Sequence, residues 1–153
     1  MPTPSLSNYV GYFLAVVLIC IVIWIIKTQV NEYYLQNDPM LITLKEIIRP
    51  IKWEGKSIAD GLKLYRGKKS YTINKENTYM CLYDEKGEYY PLNLLLHVLI
   101  HEIAHSKNVV NIGHTKEFYD IFQQLLDQAE ELGIYNSKIP IDENYCLYAG
   151  DDD

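Results

Sequence analysis

The stretch Pro91-Leu-Asn-Leu-Leu-Leu-His-Val-Leu-Ile-His-Glu-Ile-Ala-His-Ser-Lys107 decides how this chain is read. Leu96, Leu99, Ile100 and Ile103 recur at i, i+3, i+4 and i+7, the spacing of one helical face. Leu94, Leu95 and Val98 add apolar bulk elsewhere around the barrel, so the spacing predicts a helix buried in the middle of its domain. That helix nevertheless carries His101, Glu102 and His105, an HExxH pattern. Residues i and i+4 lie one turn apart on one face, so both imidazoles can reach one Zn²⁺. Glu102 stands one step round the helix. Zinc lowers the pKa of a water it holds toward neutral, and a carboxylate in that place takes the proton as the water attacks a carbonyl.

A catalytic zinc needs three protein ligands and one open position. The candidate third ligand is His114, in Gly-His-Thr-Lys-Glu-Phe, where the next helix begins. The turn from Ser106 to Gly113 is long enough to fold that helix back onto the first. Glu117 is the runner-up, because His2Glu sites exist. His97 lies one turn before His101, but three consecutive turns of a straight helix cannot all serve one tetrahedral ion. It reads as a packed residue or one that orients a ligand.

Upstream, Asp38-Pro39 reads as a helix start, with Asp as N-cap and Pro at N1. Met40, Leu41, Leu44, Ile47 and Ile48 follow at helical spacing until Pro50. Residues 53–61 read as loop. Leu62–Arg66, Tyr71–Asn74 and Thr78–Tyr83 read as short strands separated by turn sequences. Downstream, Phe118, Ile121, Phe122, Leu125, Ala129 and Leu132 share one helical side, with Gly133 as its C-terminal cap. The C-terminal stretch has no clear period. Tyr145 and Tyr148 are candidate oxyanion stabilisers there.

Tyr9 to Ile26 is an uncharged run of 18 residues, about 27 Å as a helix, close to the thickness of a bilayer's hydrocarbon core. No Lys or Arg precedes it and no small-x-small site follows it, so a membrane anchor fits better than a cleaved signal peptide. Residues 9–26 are then a transmembrane helix, 27–38 a juxtamembrane linker, 39–148 one globular domain and 149–153 an acidic tail. Lys27, just after the run, places the domain in the cytoplasm by the positive-inside rule. Cys20 lies inside the run, which leaves Cys81 and Cys146. Two spare cysteines can pair, but they are no disulfide framework. With no N-x-S/T sequon, they lean toward a reducing compartment.

The net charge of -6 conceals an asymmetry. Residues 45–75 hold nine Lys/Arg against three Asp/Glu, and residues 76–153 hold four Lys against fifteen Asp/Glu. A solvated face and an acidic tail account for this. The sharper reading is a basic surface for nucleic acid or anionic lipid through Lys63, Arg66, Lys68 and Lys69.

Through LLLHVLIHEIAH, GHTKEF and the upstream TYMCLYDEKGEYY, roughly residues 60 to 133, the chain resembles the zincin metallopeptidases of the WLM and SprT-like group. Eight residues separate His105 from His114, between the shorter WLM spacing and the longer SprT-like one. Asn108 and Asn111 stand where a metzincin has Gly and His. The resemblance implies a small α+β zincin domain: a helix, a short sheet, the HExxH helix and a third-ligand helix. It implies Zn²⁺ on His101, His105 and His114, Glu102 as base, and Phe118 packing the third-ligand helix. The expectation is a membrane-anchored zinc metallopeptidase acting on a protein or peptide substrate. The alternative is a catalytically silent zinc-binding interaction module.

Overall fold

The computed structural model describes residues 5–110 and 113–146. The proposed acidic tail and Tyr148 lie outside the described residues. The chain divides between Tyr34 and Leu35 into two units. The first is almost entirely helix α1, Leu6–Gln36, a 31-residue helix long and apolar enough to cross a membrane, with no buried residue. It runs on through most of the segment read as a linker. Lys27, Gln29, Asn31, Glu32 and Gln36 are polar but continue the helical backbone, since none of them is a helix breaker.

The second unit is α+β. Helix α2, Pro39–Ile47, begins where Asp38-Pro39 predicts: the Asp38 carboxylate accepts from the Met40 N–H at 3.0 Å. Asp38 is only 5 % exposed and accepts from two more donors, Tyr83 Oη at 2.7 Å and Tyr89 Oη at 2.9 Å. An N-cap carboxylate thus also ties α2 to the chain around residue 83, which offsets the cost of burying it.

Residues 53–57, read as part of a loop, form with Lys52 a small hairpin of β1 (Lys52–Trp53) and β2 (Lys56–Ser57). Glu54 and Gly55 turn it, with φ of 50° and 79°. Two consecutive positive φ values are the twist-matched hairpin turn, with Gly at its second central position. Gln128 fastens the hairpin to the last helix by bonding both the N–H and the C=O of Lys52, each at 3.0 Å.

The main sheet has β3 (Lys63–Arg66), β4 (Tyr71–Ile73) and β5 (Asn77–Met80), in the order β3-β5-β4. The central strand pairs parallel with β3 and antiparallel with β4. These strands are shorter than predicted. Beyond Met80 only one bridge continues, between Tyr83 and Tyr89. Register sorts the faces. Leu64, Met80, Thr78 and Thr72 turn inward, the first three buried. Tyr65, Tyr79 and Tyr71 stack on the other face with ring centroids 5.0 and 4.8 Å apart.

Helix α3, Leu92–Lys107, lies against the inner face, and α4, Lys116–Glu131, packs on α3. Leu95, Leu96, Leu99 and Ile100 of α3 are 0 % exposed, as are Phe118, Leu125 and Ala129 of α4. They join Leu44, Ile48, Ile51 and Met80 in one core. Leu132 caps α4 and Gly133 follows at φ 69°, the left-handed step that ends a helix without steric cost to a Cβ.

Candidate metal centre

Helix α3 presents His101 and His105 from successive turns of its last half. Asn108 ends the helix, and the chain returns through Gly113 at φ 104°, a backbone state that favours glycine. Thr115 caps α4, its side-chain oxygen accepting from the Phe118 N–H at 3.4 Å. His114 therefore sits just ahead of a capped helix, and its ring reaches the other two. The three Nε2 atoms form a near-equilateral triangle: 3.2 Å from His105 to His101, 3.1 Å from His105 to His114 and 3.1 Å from His114 to His101.

This triangle cannot be explained by hydrogen bonding among the rings. Each Nε2 either carries a proton or does not, so among three mutual neighbours at least one pair is donor facing donor or acceptor facing acceptor. A single cation at the centre removes the conflict, with all three nitrogens bare and turned toward it. The separations suit three ligands about 2.0 Å from one ion. Among the described residues these three form the group able to hold a metal.

Phe118, 0 % exposed, is the floor of the centre. Its ring stacks on His105 at 4.2 Å and meets the edges of His101 and His114 at 4.9 Å each. Burial pushes the His101 pKa down to about 4, helped by the positive forms of His105 and His114, and burial also lowers that of His105. Both are then neutral at pH 7, the form in which imidazole binds a metal.

Glu102 is 8 % exposed and faces the sheet. Its Oε2 accepts from Thr72 Oγ1 at 3.0 Å, and Thr72 Oγ1 lies 3.1 Å from Thr78 Oγ1. Burial raises the Glu102 pKa, and the Thr72 hydrogen bond opposes that rise. A cleft of about 700 Å³ is lined by Glu102, the three histidines, Ser70–Thr72 and Asn108. A second hollow of about 420 Å³ is lined by His97, Val98 and Tyr145 and shares Ser70, His101 and Glu102 with the cleft. A carboxylate and a three-imidazole cradle thus share the edge of one cleft.

The remaining candidates fall elsewhere. Glu117 is exposed and turned to the start of its own helix, where the backbone N–H and Thr115 hold its carboxyl below the usual range. It is a helix-terminus residue and stands outside the group of three histidines. His97 packs: Nδ1 lies 3.1 Å from Tyr135 Oη and the ring meets Phe122 edge-on at 5.2 Å. Tyr145 is not arranged as an oxyanion donor, because its hydroxyl donates to the Cys81 carbonyl at 2.6 Å. Its oxygen also lies 2.6 Å from Ser70 Oγ. Cys81 and Cys146 form a disulfide, so the structure makes the pairing that the sequence left open.

Sequence reasoning missed Thr72 and Thr78. Their one signal was alternation in neighbouring strands, Tyr-Thr-Ile and Asn-Thr-Tyr, which places a threonine on the inward face of each. Several basic residues are engaged within the fold. Lys45 donates to the Leu62 carbonyl at 2.6 Å, Arg49 pairs with Glu46, and Lys75 donates to the Asn108 carbonyl at 3.1 Å. Arg66 lies 3.6 Å from the Asp38 carboxylate.

No known family pattern matches the sequence, and no solved structure matches the chain. Two curated viral proteins do. Uncharacterized protein 136R of Invertebrate iridescent virus 6 is 43% identical over 94 residues, which are 60% of this chain and 52% of that protein. This chain therefore aligns with about half the length of that relative. Uncharacterized protein 042R of Invertebrate iridescent virus 3 is 33% identical over 126 residues, 81% of this chain and 76% of the relative. At that identity and coverage, the chain belongs to the protein family of iridescent viruses that includes 042R.

Proposed function

We propose that this protein is a zinc-dependent peptidase with a zincin-like domain, held to a membrane by residues 9–26. One observation carries the reading: three Nε2 atoms converge within 3.1–3.2 Å of one another beside a buried carboxylate on the same helix. Three imidazoles suit zinc and leave a fourth position open, whereas a structural zinc site takes four protein ligands. Bound there, zinc supplies Lewis acidity at the open position. His101, His105 and His114 hold it, with Phe118 fixing the ring planes. Glu102 takes the proton of the attacking water and returns it to the leaving amine. Its burial raises its pKa, the direction that favours holding the proton between the two transfers. The 700 Å³ cleft, lined by β4 residues as well as by the histidines and Glu102, is the site this reading assigns to the peptide. A silent zinc module has no use for a buried carboxylate beside its ligands, because burying one costs free energy.

The orientation follows from the stronger of two arguments. Lys27 alone points the domain to the cytoplasm. The Cys81–Cys146 disulfide points it to an oxidising compartment. A single lysine is a small bias, while a disulfide persists only where the compartment does not reduce it. On the disulfide we infer an oxidising side for the domain, against the cytoplasmic side that Lys27 indicates.

Glu102→Gln tests the peptidase reading. It removes the base but nearly preserves shape, so zinc and fold are retained while hydrolysis of unfolded casein falls by at least about 100-fold. Equal rates in wild type and variant would exclude Glu102 as base. A zinc-loaded wild type without activity would leave the interaction module standing.

A further inference from the structure

We propose that Thr72, backed by Thr78, is the positioning residue for Glu102. The role rests on the peptidase reading above. The geometry is directional. An ionised carboxylate only accepts, so at 3.0 Å from Oε2 the Thr72 hydroxyl must donate its single proton there. That leaves Thr72 Oγ1 as the acceptor at 3.1 Å from Thr78 Oγ1, so Thr78 donates to Thr72. The backbone carbonyl of Glu102, 3.4 Å from Thr72 Oγ1, competes poorly for that proton against a charged acceptor at 3.0 Å.

The chain Thr78 to Thr72 to Glu102 fixes one carboxylate oxygen from the sheet side and leaves Oε1 to serve the cleft. Each link is held independently. Thr72 and Thr78 are cross-strand partners in the β4–β5 ladder, so the backbone register sets the spacing of their hydroxyls. Thr78 is 0 % exposed, so water does not replace its proton. Successive hydrogen bonds in a low-dielectric site polarise one another, which strengthens the last of them. A buried carboxylate on a helix has several rotamers. The two threonines hold one of them, in a cleft that Glu102 and the three histidines line together, and misplacement of a reacting group by about 1 Å costs about 100-fold.

The test uses the full chain in detergent. Thr72→Val removes the donor at nearly constant volume. The expected result is a kcat lower by about 10- to 100-fold, with KM within about twofold and zinc at the wild-type level. Thr72→Ser, which keeps the hydroxyl, restores kcat to within about threefold. In a Glu102→Gln background Thr72→Val changes nothing further, since the group it orients is gone. A second readout needs neither metal nor turnover. The ¹³C resonance of the Glu102 carboxyl, identified by its loss in Glu102→Gln, shifts in the metal-free Thr72→Val protein and keeps its place in Thr72→Ser. If Thr72→Val does not fold, Thr72→Ala replaces it in both measurements.

Unchanged kcat in an active protein overturns the proposal and leaves the peptidase reading intact. A Ser variant as slow as the Val variant also overturns it, because the methyl group and not the hydroxyl would then matter. A wild type inactive with zinc bound overturns the peptidase reading and the catalytic role with it. An unmoved carboxyl resonance overturns the contact itself.

Discussion

His114 is the residue on which the centre turns. His101 and His105 share a helix and would face one another in any fold that keeps α3, but the third nitrogen arrives from another element. Changing His114 to Ala should lower bound zinc well below one ion per chain, measured by elemental analysis of the purified protein. Glu117→Ala should leave zinc where it was, because the Glu117 carboxyl is engaged at the start of α4. The reverse pattern would exchange the two assignments. Spacing left both open, since His114 and Glu117 are three residues apart around a helix start. What separates them is that His114 precedes the Thr115 cap while Glu117 lies within the first turn.

Among the elements, α4 carries more of the site than the one histidine just ahead of it suggests. It supplies Phe118 beneath all three rings and Phe122 against His101 at 5.2 Å. Phe118→Ala should therefore act twice. A buried Phe cut back to Ala costs about 3–5 kcal/mol of stability, read from the urea midpoint of the full chain. Loss of the support behind the ligand rings should weaken zinc binding by about 10- to 100-fold, read by competition with a chelator. Stability lost with zinc affinity unchanged would mean that the rings are fixed by the backbone alone. The elements themselves were legible where periodicity was strong. Helices α2, α3 and α4 lie where their apolar spacing predicts, because each buries one stripe in a shared core. The β1–β2 hairpin was not, since two-residue strands carry too little alternation to register.

For the whole molecule, α1 and the disulfide make separate claims. An α1 that crosses a bilayer should keep the full chain in the membrane pellet through alkaline carbonate. A disulfide-closed domain on the oxidising side should resist protease in sealed vesicles whose lumen is that side. Its cysteines Cys81 and Cys146 should take up a thiol label only after reduction. Protease cleavage of the domain from the cytoplasmic face would restore the orientation that Lys27 indicates. Full labelling without reductant would remove the disulfide argument.

By itself the sequence determined the local features: the uncharged run from Tyr9 to Ile26, the Asp38-Pro39 cap, the apolar stripes, and the pairing of His101 with His105 one turn apart. Each depends on neighbours within about four residues, where helical geometry is enough to place side chains. Tertiary structure alone decided the rest. His114 rather than Glu117 completes the triangle because α4 folds back onto α3. Thr72 reaches Glu102 with Thr78 behind it because β4 pairs antiparallel with β5 in one register. Cys81 meets Cys146 across 65 residues because the C-terminal segment returns to the end of the sheet. These contacts depend on how separate elements pack, and the order of residues along one element carries no record of that.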